Sequence, residues 1–304
     1  MAAKPLLVAT EPFRSAEAKA ALARRFRVAS SGSGATALYV KLKRRVDARL
    51  LDRHPGLRWL VSPTTGLTHV DLAACRARGI EVISLRGETR FLDTISSTAE
   101  LAWGLLLAAE RRIPEADASV RGGAWNRDLF PGRELRGKTL GVVGLGRLGT
   151  MVARYGQAFG MKVVYAEPRR VSLRGATRVS LRRLCADSDV ISLHVHASPE
   201  TAGLLGRAEF AAMRRRPLIV NTARGELIDE KALLAALKSG RVRGAALDVL
   251  AGEHAGRRDW PKGDALFAWA RRAKNVILTP HVGGLTDAAG RAELFAARKL
   301  LARL

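Results

Sequence analysis

Three segments of this chain carry side chains able to move a proton or hold an anion, and each follows a strand-sized apolar run. They are Asn221-Thr222-Ala223-Arg224-Gly225-Glu226, Asp248-Val249-Leu250-Ala251-Gly252-Glu253 and Thr279-Pro280-His281-Val282-Gly283-Gly284. An imidazole suits acid–base work near neutral pH, which makes His281 the candidate proton donor. A carboxylate hydrogen-bonded to that ring favours its charged form, a part open to Glu253. A guanidinium forks onto a carboxylate and polarises a neighbouring carbonyl, a part open to Arg224. Each residue also has an ordinary reading. Arg224 could cap a helix or pair with Glu226, and Glu253 could be a solvated loop acid. His194 and His196 are rival acids, although His194 falls in an alternating strand and reads as a packing or cofactor-edge residue. His54 and His69 lie in the first part of the chain, His69 close enough to Gly66 to line a cleft.

A fourth motif says what these groups would act beside. Gly144-Leu145-Gly146-Arg147-Leu148-Gly149 follows the run Leu140-Gly141-Val142-Val143, opens a helical stretch, and is trailed by Glu167 at the end of the next apolar run. Gly144 allows the tight turn, Gly146 lets a pyrophosphate approach the backbone, and Gly149 permits close helix–strand packing, the combination of a dinucleotide site. Glu167 can accept from the adenosine ribose hydroxyls and would repel a 2'-phosphate, so NAD is expected and NADP is less favoured. Arg169 and Arg170 follow at once and could offset that repulsion. With a nicotinamide cofactor, hydride transfer to a ketone needs the proton donor that His281 supplies.

The elements that must position these residues form two series. Residues 5 to 85 alternate short apolar runs (Leu6–Ala9, Ala37–Val40, Leu57–Val61, Ile80–Ser84) with helical patches (Ala16–Arg27, Val70–Arg78), the pattern of parallel strands joined by crossovers. From Leu140 a second series runs through strands at Met161–Tyr165, Val190–Val195, Leu218–Asn221, Gly244–Val249 and Val276–Leu278. Its helices are expected at Thr150–Phe159, Ser180–Ala186, Arg207–Met213 and Glu230–Ser239. Between the two series, Ser97–Arg112 reads as an N-capped helix, apolar nearly all round and so buried between larger bodies. Thr286–Leu304 reads as a helix returning to the first domain or to the junction.

The 304 residues are 47% hydrophobic and 26% charged, a globular composition of a length that favours two domains. Lys and Arg number 52 against 28 acids, a net charge of +24. The cations are scattered, without a basic tail or an aromatic-interleaved stripe, so a dedicated nucleic-acid role is not expected. Cys75 and Cys185 lie far apart and outside any ligand cluster, which suggests neither a disulfide framework nor a metal site. The apolar stretch near the N-terminus is too short for a secretory signal, and no run approaches a bilayer span. A soluble, cytoplasmic protein is expected, with no regulatory domain beyond Leu304.

Thr65-Gly66 with Val70-Asp71-Leu72, Gly79-Ile80, Ser97-Thr98-Ala99-Glu100, the glycine motif, Ser192-Leu193-His194-Val195 and the three segments above together resemble the D-isomer-specific 2-hydroxyacid dehydrogenases over nearly the whole chain. That family includes D-3-phosphoglycerate dehydrogenase, glyoxylate/hydroxypyruvate reductases and formate dehydrogenase. The resemblance implies Arg224, Glu253 and His281 as the catalytic set, with Asp248 near the nicotinamide amide. It implies Arg147-Leu148 at the pyrophosphate, Thr222 and Gly283-Gly284 along the cofactor, the Thr65-Gly66 backbone cradling a substrate carboxylate, and a homodimer. The chain departs from the family at Glu167, where Asp is usual, at His196 and His254, where Pro is common, and in the loop Ser84–Thr89, which leaves the acid open. Arg86 and Arg90 could meet a substrate phosphate.

The expected architecture is α/β with two doubly wound parallel sheets. A Rossmann dinucleotide-binding domain, 97–284, is inserted into a smaller flavodoxin-like substrate domain, 1–96 with 285–304, and the site lies in a cleft that closes. The expected reaction is reversible, NAD-linked reduction of a 2-keto acid to a D-2-hydroxy acid. The alternative is a corepressor-like binding module that senses NAD(H) with little turnover.

Overall fold

The computed structural model of the chain describes residues 3–253 and 260–304; His254 lies outside the described residues. It divides into two units, Met1–Ile95 with Gly284–Leu304, and Ser96–Gly283.

The first unit runs β1 (Leu6–Ala9), α1 (Ala16–Ala23), β2 (Arg27–Ala29), β3 (Ala37–Tyr39), α2 (Ala48–Asp52), β4 (Trp59–Val61), α3 (Leu72–Ala77), β5 (Glu81–Ile83) and α4 (Thr89–Leu92). Its strands pair in the order β2-β1-β3-β4-β5, all parallel. This is the flavodoxin-like order. Such strands are covered on both faces, which is why they read as continuous apolar runs. The helix expected to reach Arg27 ends at Ala23. Pairing of Leu6 with Arg27 and of Leu7 with Val28 draws the next residues into β2, a strand too short and polar to be legible.

The second unit runs α5 (Ser97–Glu110), α6 (Ile113–Arg121), β6 (Thr139–Val143), α7 (Arg147–Ala158), β7 (Lys162–Ala166), β8 (Ala176–Arg178), α8 (Leu181–Asp187), β9 (Val190–Leu193), α9 (Arg207–Ala212), β10 (Leu218–Asn221), α10 (Glu230–Lys238), β11 (Gly244–Leu247), α11 (Ala265–Ala270) and β12 (Val276–Leu278). The parallel order is β12-β11-β10-β9-β6-β7-β8. Reversal of strand order at β6 places the carboxyl end of that strand, and the glycine loop after it, at a topological switch point. β8, α6 and α11 were not expected. α7 begins at Arg147, three residues before the expected Thr150, because the second half of the glycine motif is already helical.

Helix α5 buries Ala99, Ala102, Trp103, Leu105 and Leu106, and packs on α7 and on β10, β11 and β12. Ser96 stands at its cap position, but its Oγ donates to Glu100 Oε1 at 2.5 Å and accepts nothing from the backbone, so the expected side-chain cap is absent there. At its other end Glu110 is buried and ion-paired with Arg243, the residue before β11. The last helix, α12 (Ala288–Leu301), rejoins the first unit against α1, β4 and β5. Its buried Glu293 accepts from the backbone N–H groups of Arg14 and Ser15 at 2.7 and 2.9 Å and pairs with Lys41 Nζ. A buried carboxylate satisfied this way fixes the helix, since loss of one partner would strand a charge.

Candidate active site

The second unit carries two groups of candidate residues, one around the glycine loop after β6 and one on the loops that follow β10, β11 and β12.

At the glycine loop the backbone of Gly144 is left-handed, φ 91°, and a Cβ there would lie 2.6 Å from Val195 Cγ1 and 2.9 Å from His194 O. A Cβ on Gly149 would lie 1.9 Å from Gly144 O. Only glycine lets α7 pack so closely on the turn. Gly146 caps α7 with no side chain, and a Cβ there would make only an ordinary contact, 3.7 Å from the Arg169 guanidinium. A helix N-terminus, where N–H groups and the positive end of the helix dipole face outward, is an anion site suited to a pyrophosphate. Leu148 packs its side chain on the core beneath, and Arg147 opens the helix.

Glu167, at the carboxyl end of β7, is nearly buried. Its Oε2 accepts from Leu145 N–H at 3.0 Å and from Arg169 at 3.0 Å, and its Oε1 accepts from Arg169 Nε at 2.8 Å and Arg169 N–H at 3.1 Å. The Arg169 guanidinium, against the opposing cost of burial, brings the Glu167 carboxyl down to about 2. Arg169 thus neutralises Glu167 directly; sequence reading had left that residue between phosphate partner and solvated cation.

The second group is built from the ends of three adjacent strands. After β10, Asn221 folds the chain back on itself: its Nδ2 donates to Arg224 O at 2.8 Å and its Oδ1 accepts from Ala223 N–H at 3.0 Å. This turn aims Arg224, whose guanidinium donates to Ala223 O at 2.6 Å. Burial acts against the charge of Arg224, and the carboxylates of Glu253 and Glu226 act to keep it. Gly225 touches the next loop directly: a Cβ there would sit 2.0 Å from the carbonyl carbon of Leu250.

After β12, His281 Nδ1 lies 2.8 Å from Glu253 Oε1, and both side chains are largely withdrawn from solvent. His281 adopts a left-handed backbone, φ 54°, costly for most residues and tolerated by His. What holds it there is Asp248. The His281 N–H donates to Asp248 O at 2.8 Å, while the Asp248 carboxylate accepts from Thr279 Oγ1 at 2.5 Å and from the N–H groups of Val282 and Gly283 at 2.8 Å each. Burial raises the Asp248 carboxyl, and these donors oppose the rise. The resemblance gave Asp248 a cofactor role. In the structure its partners are the turn that carries His281, a role sequence could not reveal because it depends on which carboxylate faces that turn.

His194 is taken up elsewhere: its Nε2 is 2.8 Å from Ser192 Oγ, and burial pushes its imidazole down to about 4, so it is neutral near pH 7. Thr222 is buried, and its Oγ1 has no hydrogen-bond partner among the described residues. An orphaned hydroxyl just past the end of β10, together with the glycine cradle, fits a dinucleotide along this sheet edge. Gly283 is held by Asp248, whereas Gly284 has open space around its Cβ position.

Thr65, Gly66 and Gly284 belong to the first unit. The turn after β4 is tied by Thr64 Oγ1, which donates to Gly66 O at 2.9 Å, and by Leu85 N–H, which donates to Thr64 O at 3.0 Å. His69 Nε2 reaches Ser62 Oγ at 3.3 Å, and His54 Nδ1 accepts from Ala35 N–H at 3.1 Å. Among the described residues no cluster of His, Cys, Asp and Glu could hold a metal, and no helix is long and apolar enough to cross a membrane.

Comparison with known proteins adds a family to this geometry. Residues 103–283 match the model for the NAD-binding domain of the D-isomer-specific 2-hydroxyacid dehydrogenases. The chain is 43% identical to D-3-phosphoglycerate dehydrogenase of Mycobacterium tuberculosis over 256 residues, 83% of this chain and 46% of that protein. It is 38% identical to glyoxylate reductase of Thermococcus litoralis over 273 residues, 86% of this chain and 78% of that protein. Among solved structures it is similar to D-lactate dehydrogenase from Aquifex aeolicus complexed with NAD and lactic acid, TM-score 0.82 and 28% identity, covering 98% and 94% of the two chains. This chain spans about half the length of the phosphoglycerate dehydrogenases it matches.

Proposed function

Because this chain belongs to the D-isomer-specific 2-hydroxyacid dehydrogenases, we propose that it interconverts a 2-keto acid and a D-2-hydroxy acid with NAD. The observation that carries the proposal is the 2.8 Å contact of His281 Nδ1 with Glu253 Oε1. With Nδ1 committed to Glu253, Nε2 is the ring atom assigned to exchange a proton with substrate oxygen.

When bound, the nicotinamide supplies or takes up the hydride at the substrate's second carbon. Arg224 holds the substrate carboxylate and polarises the adjacent carbonyl. His281 donates the proton during reduction and accepts it during oxidation. Glu253 orients the ring. The glycine loop and the first turn of α7, with Arg147 and Leu148, would hold the pyrophosphate, Glu167 would serve the adenosine ribose, and the buried Thr222 hydroxyl would gain a partner on the cofactor. Thr65 and Gly66 receive the substrate carboxylate through their backbone. D-3-Phosphoglycerate oxidation and glyoxylate reduction, the reactions in the relatives' names, are the candidate reactions, together with hydroxypyruvate reduction.

A homodimer accompanies this reading. Its support is an apolar surface on and after α6, where Ile113, Val120 and Leu129 are exposed and Trp125 is 90% exposed. Isolated surface aromatics are common, but four large apolar groups within one short segment suit an interface. Sedimentation should give a dimer, and Trp125→Glu with Leu129→Glu a monomer.

The direct test is NADH oxidation, followed by loss of the reduced-nicotinamide absorbance, against glyoxylate, hydroxypyruvate, pyruvate and phosphohydroxypyruvate. Oxidation with at least one is expected. No oxidation with any, together with DNA retention that survives moderate salt, would replace the enzyme by the NAD(H)-sensing module.

A further inference from the structure

The loop that carries Glu253 is pinned from below. Ala251 N–H donates to Glu230 Oε1 at 2.6 Å, and the peptide before it, Leu250–Ala251, rests on Gly225 so closely that a Cβ on Gly225 would overlap it. Glu230 is the first residue of α10, and the carboxyl of Asp264, the cap residue of α11, acts on it as a second acid. A carboxyl can accept from Ala251 N–H through one oxygen while the other carries a proton.

We propose that Glu230, through its hydrogen bond with Ala251 N–H, is a positioning residue that sets Glu253 against His281. This rests on the reading of His281 and Glu253 given above. The charged groups facing Glu230 are Asp264 on α11 and Glu226 in the turn before α10, both of which disfavour its ionisation. Burial is the largest cause, Ala251 N–H acts against it by favouring the charged form, and the Glu230 carboxyl is raised to about 7. As pH climbs past that value the group charges beside two other carboxylates and is driven toward water. Ala251 N–H then loses its acceptor, and the path to Glu253 slackens.

The variant Glu230→Gln imitates the neutral acid: its amide oxygen accepts from Ala251 at every pH. Glu230→Ala removes that contact. The experiment follows two readouts, kcat against pH with the best keto acid, and the low-field imidazole N–H proton resonance that the variant His281→Asn identifies by its loss. In Glu230→Gln the resonance should persist and the alkaline fall of kcat should move to higher pH. In Glu230→Ala the resonance should vanish and kcat should drop about ten-fold or more, with the Kd for NADH unchanged. Wild-type pH dependence in Glu230→Gln, or an unchanged resonance and kcat in Glu230→Ala, overturns the proposal. If Glu230→Ala does not fold, the alkaline limb of Glu230→Gln decides. If no keto acid is turned over, the resonance alone decides: its loss in Glu230→Ala and survival in Glu230→Gln uphold the positioning role while the dehydrogenase reading falls.

Discussion

His281 and Glu253 lie 28 positions apart in the chain, yet Nδ1 of one is 2.8 Å from Oε1 of the other. Neither residue sits in a regular element. The pairing exists because β11 and β12 are neighbours in register, Leu247 beside Leu278, so that the loops leaving them start side by side. Asp248 then folds the second loop through Thr279, Val282 and Gly283, and the strained backbone of His281 points its ring at Glu253.

Replacing His281 by Asn tests the proton donor without disturbing the turn, since Asn also tolerates the left-handed backbone. Turnover should fall by about 10²–10⁴-fold, the usual worth of a general acid, while the Kd for NADH, read by fluorescence titration, stays within a few-fold of wild type. Undiminished turnover would remove His281 from the mechanism.

Arg224→Lys keeps a positive charge and loses the fork. Steady-state kinetics should show kcat/KM for the keto acid lowered by roughly 10²–10³-fold, the scale of a lost oxyanion donor. A loss confined to NADH binding would instead place Arg224 on the cofactor.

Gly149→Ala puts a methyl group 1.9 Å from Gly144 O, a backbone atom with nowhere to go. A cost of roughly 1–3 kcal/mol or more is expected for such overpacking, and calorimetry should show both a lower Tm and the loss of the Tm increase that NADH gives to wild type.

The pH dependence of stability offers a test at Glu167. Its carboxyl sits at about 2 in the folded chain against an ordinary value of 4.5. A depressed acid contributes stability that is fully present above its unfolded value and is lost as pH falls from there toward the folded one. Acid unfolding should therefore begin at higher pH in Arg169→Ala than in wild type. Arg169 is 65% exposed, so the difference should be small, about 1 kcal/mol or less. Identical acid profiles would mean that Leu145 N–H alone holds the carboxylate down.

Much of the plan could be read from the chain because it depends on local rules. Parallel strands buried on both faces are runs such as Leu218–Asn221, and a turn that only glycine can make shows itself at Gly144 and Gly149. Strand order makes the ends of β10, β11 and β12 neighbours, so Arg224, Glu253 and His281 could be nominated together from sequence alone. What lay beyond reach was set by contacts between distant residues. β2 and β8 are three-residue strands whose pairing, not their composition, makes them strands, and α6 buries none of its residues. The same holds in the site. Asp248 turned toward the His281 loop, Arg169 folded onto Glu167, and Glu230 beneath Ala251 are choices among several acids and bases of equal chemistry. The sequence by itself determined which chemical groups are present and which strand ends carry them. Only the tertiary structure decided which donor meets which acceptor, because a hydrogen bond depends on direction and on a few tenths of an ångström, and neither is written in residue type or spacing.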